Sequence, residues 1–155
     1  MKNLILTLLL TPILAVTTVT NLTDSTALAF KAKAAVKFQN QVRDLYDIHP
    51  LKLDKDLTRL AKLHAKKIVN YPEYGLDTLF EGGQIITTFS RKNKKKKNYY
   101  LAAAVDAAVH IWDEERISYY HTTCEECYFV GFGMAKNKKD VVVVTFYDKQ
   151  YGTTK

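Results

Sequence analysis

The last third of the chain, residues 99–148, decides the fold and reads YYLAAAVDAAVHIWDEERISYYHTTCEECYFVGFGMAKNKKDVVVVTFYD. Its first part predicts a helix, because it is rich in alanine and places apolar residues at near-helical spacing. These apolar residues are Leu101, Val105, Ala108 and Trp112. Its last part predicts a β-hairpin, because the apolar runs 128–135 and 141–147 flank a polar turn. We therefore expect a helix, a polar corner and two strands of a buried sheet, in this order.

Two reactive side chains fall at the corner between this helix and the hairpin. Continuing the apolar stripe brings Glu115 onto the mostly buried face near the helix C-terminus, where the helix dipole disfavours negative charge. We therefore expect Glu115 to have a cationic or hydrogen-bonding partner. His121 follows shortly afterwards, ahead of Cys124 and Cys127. A carboxylate and an imidazole held at this junction are the arrangement in the chain that could carry chemistry.

Length and composition set the limits of the fold. The chain has 155 residues, of which 47% are hydrophobic, so we expect a single domain with its own core. The formal net charge of +7 favours acidic partners or surfaces. Two cysteines are too few for a miniprotein held together by disulfides, so packing must stabilise the fold.

The amino terminus, residues 1–29, predicts a secretory signal peptide. A short charged start is followed by an apolar run over residues 4–16 that is too short to span a bilayer, and Ala27-Leu28-Ala29 fits the small-x-small cleavage rule. We therefore expect residues 30–155 to be the mature domain, secreted, extracellular and without a membrane span. The alternative is that residues 1–29 are retained as an amphiphilic anchor. A glycosylation acceptor at Asn21 survives only if cleavage falls earlier, near residues 16–20.

The middle of the chain predicts two further helices and a third strand. The first helix covers residues 33–46 and ends before Pro50, since the residue before a proline disfavours the helical conformation. The second begins after its N-cap Asp54, and His64 on its inner face is expected to be a half-buried, hydrogen-bonded histidine rather than a metal ligand. A short strand follows over residues 85–89. The expected inner face of the first helix consists of Ala35, Phe38, Val42 and Leu45.

A strongly basic run separates that strand from the alanine-rich helix. It consists of Arg91, Lys92, Lys94, Lys95, Lys96 and Lys97. One interpretation is a solvated loop, because blocks of like charge repel each other. The alternative is a docking patch for a polyanion, which we expect to be an anionic glycan rather than nucleic acid.

Several segments together resemble the CAP superfamily (cysteine-rich secretory proteins, antigen 5 and pathogenesis-related 1), whose domain is also called the SCP domain. The resemblance covers residues 36–152, and its motifs occur in the family order. The matching segments are Leu51-Lys52-Leu53-Asp54 with Leu57, Leu60, Ala61 and Ala65; Ala107, Val109, Trp112 and Glu115; His121-Thr122-Thr123; Val130-Gly131-Phe132-Gly133; and residues 143–148. The resemblance implies a single α+β domain, a three-layer α-β-α sandwich with a central antiparallel sheet.

The resemblance also implies a cleft with two histidines and two acidic residues, which bind zinc in some members. Glu115 matches the second acid and His121 the second histidine. The other half departs from the family, because residues 70–72 replace the first histidine and Gly83 replaces the first acid. Glu81 could substitute only if the loop shifts its register. Because zinc needs three or four protein ligands, Glu115 and His121 alone make a poor site, and we expect no metal or other cofactor.

Three states are open for Cys124 and Cys127. In an oxidising compartment the two thiols pair with each other more readily than they bind metal, and such a short bridge can be redox-labile. They could instead be free structural thiols. Metal binding with His121, or redox chemistry, is the third state.

Taken together, the sequence predicts a secreted, non-enzymatic CAP-domain binding or effector protein with a degenerate cleft. The resemblance implies a lipid, a sterol or an extracellular protein as the ligand. One alternative is an enzyme, either a hydrolase using Glu115 and His121 or a thiol enzyme using Cys124. The other is a polyanion-binding module that uses residues 91–97.

Overall fold

The computed structural model describes residues 31–92, 98–109 and 122–148, which fall within one compact unit, Lys31–Lys155. The helices are α1 over residues 31–44, α2 (Lys55–Asn70) and α3 (Tyr99–Val109), and a short 3-10 helix follows α2 at Pro72–Tyr74. The strands are β1 (Lys52–Leu53), β2 (Gly83–Ser90), β3 (Phe129–Lys136) and β4 (Asp140–Asp148). Within these described ranges, no helix has the length and apolar character that a membrane span needs. The predicted signal peptide over residues 1–29 lies outside them.

The sheet has the strand order β1-β3-β4-β2. β3 and β4 form the predicted hairpin, in which Gly131 lies opposite Phe146, and β2 pairs antiparallel with the other edge of β4. The short β1 lies at the edge of the sheet and pairs parallel with β3. The three long strands pair antiparallel among themselves, so the β1–β3 pair is the parallel part of the sheet. This mixed edge was not predicted, because two residues carry no readable alternation.

A single asparagine shapes the hairpin turn. The side-chain oxygen of Asn137 accepts hydrogen bonds from the backbone N–H groups of Lys139 and Asp140, both at 2.8 Å. Its side-chain nitrogen donates to the carbonyl of Val69 at 2.6 Å. Asn137 therefore closes the turn in the way that asparagine commonly does and also ties the turn to the end of α2.

Helix α2 covers one face of the sheet and begins at the predicted N-cap. The Asp54 carboxylate accepts a hydrogen bond from the Leu57 N–H at 2.8 Å, which satisfies a free donor of the first turn. Two glycines on β3 allow the helix to approach closely. A Cβ atom at Gly131 would lie 2.3 Å from the carbonyl carbon of Leu57, and one at Gly133 would lie 2.0 Å from that of Ala61.

The core between α2 and the sheet is built from side chains that point to one face of each strand. Its buried members are Leu57, Ala61, Ala65, Ile68, Val69, Val142, Val144 and Phe146. Phe80, from the loop before β2, stacks on Phe146 with the ring centroids 4.2 Å apart. Because successive strand residues alternate between faces, Thr145 and Tyr147 point the other way.

Helix α3 packs on that opposite side, and its buried face differs from the prediction. The buried residues are Tyr100, Ala103, Ala104 and Ala107, while Val105 is 38% exposed and Leu101 and Ala108 are only half-buried. The predicted stripe was therefore wrong by one position, because the alanines let the helix lie close to the sheet and the Tyr100 ring meets Phe132 edge-on at 6.0 Å. Helices on both sides of the sheet give the predicted α-β-α sandwich.

Candidate functional site

The sequence predicted a cleft at Glu115 and His121, and both residues lie outside the described ranges, as do Lys94–Lys97. The described residues that relate to this prediction are the segment 122–128, which follows His121 in the sequence, and the start of β2, which the resemblance matches to the first acid. The contacts of these two segments are described below, together with those of α1, which binds the segment 122–128.

Arg43 on α1 is fully buried and holds the segment 122–128 in place. Its Nη1 donates hydrogen bonds to the carbonyls of Thr122 and Cys124 at 2.9 and 3.0 Å, and its Nη2 donates to that of Cys127 at 3.2 Å. Its Nε donates to the carbonyl of His49 at 2.9 Å. Burial lowers the pKa of Arg43, which the nearby Tyr147 opposes. The guanidinium fork thus fastens one backbone segment through several carbonyls at once, as only arginine can.

Arg43 was not predicted, because the inner face expected for α1 is only partly right: Ala35 is buried, but Phe38 and Val42 are only half-buried. The buried residues of this helix are Ala32, Ala35, Val36, Gln39 and Arg43, whereas the predicted inner residue Leu45 is 81% exposed. The available signal was the spacing of four between positions 35, 39 and 43, which lie on one helical face. Because Gln39 and Arg43 are long polar residues, this face of the helix does not have the apolar pattern that normally indicates a buried face.

Tyr147 on β4 is the second buried polar group beside this segment. Gln39 donates a hydrogen bond from Nε2 to its hydroxyl oxygen at 2.5 Å. Burial raises the pKa of Tyr147 to about 12, although hydrogen bonds with Thr122 and Gln39 and the charge of Arg43 act in the opposite direction. At neutral pH the side chain is therefore a neutral phenol that joins α1, β4 and the residue after His121.

In the structure, Cys124 and Cys127 form a disulfide whose Cα atoms are 5.3 Å apart. Cys124 is half-buried, whereas Cys127 is 4% exposed. In this state neither sulfur is a thiolate, so neither can ligate a metal. His49 stacks on the ring of Tyr128 at 4.0 Å, and its Nε2 lies 2.5 Å from the carbonyl oxygen of Glu125, so it borders the same loop.

The other half of the predicted cleft offers backbone and amide groups in place of ligands. Gly83 is the first residue of β2 and pairs with Tyr147, while Glu81 is exposed. The Gln84 amide binds the loop before it, because it accepts from the Asp77 N–H at 2.8 Å and donates to the Asp77 carbonyl at 2.7 Å. The described part of the chain contains no group of three His, Cys, Asp or Glu side chains that could hold a metal.

His64 is hydrogen-bonded, as predicted, and it is more deeply buried than the expected half-buried position. It is 5% exposed, and its Nε2 lies 2.8 Å from the carbonyl oxygen of Gly75, which makes Nε2 the donor. Its Nδ1 lies 3.9 Å from a carboxylate oxygen of Asp77. His64 therefore fixes the loop that leads into β2 and does not face an open site.

A groove of about 620 Å³ runs between α1 and the segment 48–53. Asn40 joins the two sides, because its amide exchanges hydrogen bonds with the N–H and C=O of Leu51 at 2.8 and 3.0 Å. The apolar residues of the groove are Val36, Ile48, Pro50 and Leu53, and the polar ones are Lys33, Lys37, Asn40, Gln41 and Asp44. The groove is open to solvent, so a ligand there would lie along the surface and not in an enclosed cavity.

The basic run after β2 meets a second basic segment in the structure. The Arg91 N–H donates to the carbonyl of Lys139 at 2.8 Å, and its Nη1 donates to that of Asn137 at 2.7 Å. Arg91 and Lys92 therefore lie beside the hairpin turn, whose Lys138 and Lys139 are also exposed. The sequence analysis did not connect these segments, which are far apart along the chain.

Comparison with known proteins confirms the family resemblance. The model of the CAP family, described as the cysteine-rich secretory protein family, matches residues 36–147. The solved structures similar to this chain include a hookworm platelet inhibitor (12% identity, TM-score 0.61, 78% of this chain and 70% of that chain). Two others are NaASP2 with Zn²⁺ (10%, 0.61, 76% and 78%) and MpPR-1i (16%, 0.56, 81% and 91%). At these identities the likeness shows the fold alone. No curated protein matches the chain.

Proposed function

The chain belongs to the CAP family of cysteine-rich secretory proteins, and from this premise we propose that it is a secreted protein that binds a ligand without catalysing a reaction. The observation that carries the proposal is the groove between α1 and the segment 48–53. The predicted signal peptide and the family description support secretion.

The groove suits a single-chain lipid with an anionic head group. Its floor is apolar, with Val36 buried and Ile48 and Leu53 half-buried, so an alkyl chain would remove exposed apolar surface from water. Lys33 and Lys37 lie one helical turn apart on α1, and both are exposed at the rim. Two ammonium groups at that spacing can meet one carboxylate or phosphate head group.

The described residues give less support to an enzyme. Cys124, the nucleophile of the alternative thiol enzyme, is bonded to Cys127. A hydrolase based on Glu115 and His121 stays a prediction, and loss of a measured activity in His121→Ala with the fold intact would support it over a binding protein.

The lipid proposal is tested by titrating the full chain with a fluorescent long-chain fatty acid. We expect Lys33→Glu with Lys37→Glu to weaken binding about tenfold, since each exposed charge contact contributes up to about 1 kcal/mol. The matched control is Lys62→Glu with Lys66→Glu on α2, which has the same spacing, exposure and change in net charge. Equal weakening by both pairs would mean that the groove is not the binding site.

A second candidate function is the binding of an anionic glycan at the basic end of the sheet. The observation that favours it is that Arg91 and Lys92 lie beside Lys138 and Lys139, which concentrates positive charge in one place.

Heparin chromatography tests this candidate. We expect the variant with Lys138→Gln and Lys139→Gln to elute at clearly lower salt than the unaltered protein, and the variant with Lys94–Lys97 changed to glutamine to do the same. Each variant has fewer cations to contact heparin, so fewer counterions are released when it binds. Lys62→Gln with Lys66→Gln controls for net charge. If that control elutes as early as the Lys138 and Lys139 variant, the retention comes from overall charge and not from this patch.

A further inference from the structure

We propose that the Cys124–Cys127 disulfide is a redox site that exchanges with a small external thiol while the protein stays folded. The bridge joins residues only three positions apart, and closing so short a loop restricts the unfolded chain little. The disulfide therefore contributes little to the stability of the fold, and a chemical role is the better explanation for it.

The loop around the disulfide is held by contacts that do not involve sulfur. Arg43 binds the carbonyls of both Cys124 and Cys127, and the Cys127 N–H donates to the Cys124 carbonyl at 3.2 Å. On the far side, the Tyr128 N–H donates to the carbonyl of Asp148 at 3.0 Å and thereby joins the loop to the sheet. Because these hydrogen bonds use backbone atoms, they can persist when the sulfur–sulfur bond is broken.

The two cysteines differ in their exposure, and thiol–disulfide exchange requires that one of them be accessible to the incoming thiol. Cys124 is half-buried, whereas Cys127 is only 4% exposed, so Cys124 is the more accessible of the two residues. The Arg43 guanidinium binds the backbone carbonyls of both residues and so holds the two cysteines in place on either side of the bond. An incoming thiol therefore meets Cys124 first, which makes the Cys127 sulfur the leaving group.

The reaction is thiol–disulfide exchange with a small thiol as the reductant. The external thiolate attacks the Cys124 sulfur, the bond to the Cys127 sulfur breaks, and its electron pair leaves on Cys127, which takes up a proton. A second external thiolate then attacks the external sulfur of this mixed disulfide and releases Cys124 as a thiolate. Two external thiols are thereby oxidised to one disulfide, and the protein disulfide is reduced to two thiols.

The kinetics of reduction of the full chain test this proposal. We expect the rate of reduction by dithiothreitol, followed by maleimide labelling, to rise in proportion to the reductant concentration while the far-UV circular dichroism spectrum is unchanged. A rate that levels off at the rate of global unfolding, or loss of the folded spectrum on reduction, would overturn it, because the sulfurs would then be reachable only after unfolding.

Single cysteine variants test which sulfur is attacked. We expect Cys127→Ser to form a mixed disulfide with oxidised glutathione at Cys124 about tenfold faster than Cys124→Ser does at Cys127, because reactivity follows access. Equal rates in the two folded variants would contradict the proposal. If either variant does not fold, the kinetics of the unaltered chain decide alone.

Discussion

Arg43 is the buried residue that ties α1 to the segment 122–128. It is fully buried, and its hydrogen bonds to the carbonyls of Thr122, Cys124 and Cys127 join α1 to the segment that follows His121. Removing a partner from a buried charged network leaves other groups unsatisfied, so this residue should matter more for stability than any exposed arginine.

We expect Arg43→Met to lower the free energy of unfolding in urea by about 3 kcal/mol, because several buried carbonyls would lose their donors. Arg43→Lys should lower it by about 2 kcal/mol, since an ammonium group cannot reproduce the planar fork. The control is Arg59→Met on α2, where the arginine side chain is 63% exposed and the change should stay within about 0.5 kcal/mol. Wild-type stability in Arg43→Lys would contradict the role given to the fork.

Tyr147 predicts a pH dependence. Its pKa is raised to about 12 in the folded protein, against about 10 in the unfolded chain. The contribution of the neutral Tyr147 phenol to the free energy of unfolding is therefore fully present below about pH 10. It is lost as the pH rises towards 12, by an amount on the order of 2 kcal/mol. Tyr147→Phe should flatten the fall in unfolding free energy over that window. If the unfolding free energy of the variant falls equally steeply, the pH dependence comes from other groups. One such group is Tyr100, because burial also raises its pKa.

Among the elements, α2 and strand β3 determine the packing of the sandwich. The helix reaches the sheet because Gly131 and Gly133 have no side chains at the point of closest approach. An interface this close has no room for a methyl group, and overpacking forces the backbone to move.

We expect Gly133→Ala to lower the free energy of unfolding by about 3 kcal/mol, because its Cβ would lie 2.0 Å from the carbonyl carbon of Ala61. Gly75→Ala is the comparison, since that position has open space but a positive φ of 53°, and the change should cost about 1 kcal/mol. Thermal or urea unfolding measures both. If the two changes cost the same, the close approach of α2 to β3 is not limiting.

The elements could be predicted from the sequence where a local signal was strong. The Asp54 N-cap, the β3–β4 hairpin and the hydrogen-bonded His64 each follow from residues close together in the chain. The faces of α1 and α3 could not be predicted, because Gln39 and Arg43 disguise the buried side of one helix and the alanines of the other give little contrast. Glu115 lies outside the described ranges, so its place on a buried face stays a prediction.

For the whole molecule, the structure joins features that are separate in the sequence. The groove needs α1 and the segment 48–53 together, and the basic end of the sheet needs residues 91–92 and the hairpin turn. Neither could be predicted from composition, since a net charge of +7 does not say where the charge lies. The family resemblance predicted the sandwich, whereas its cleft motif pointed to residues outside the described ranges.

Secretion belongs to the same scale. We expect the protein recovered from the medium of an expressing eukaryotic culture to begin at Phe30, because Ala27-Leu28-Ala29 fits the cleavage rule. Mass spectrometry of the intact protein measures this. A chain that retains residue 1 and stays in the cells would contradict the assignment, and a start near residues 17–21 with glycan on Asn21 would move the cleavage site.

The central claim is that the groove along α1 binds an anionic lipid, and an NMR titration of the ¹⁵N-labelled full chain with a long-chain fatty acid tests it most directly. We predict that the largest amide shifts will fall on residues 33–44 and 48–53. Shifts that concentrate instead on residues 91–92 and 136–140, or no saturable shifts at all, would contradict it.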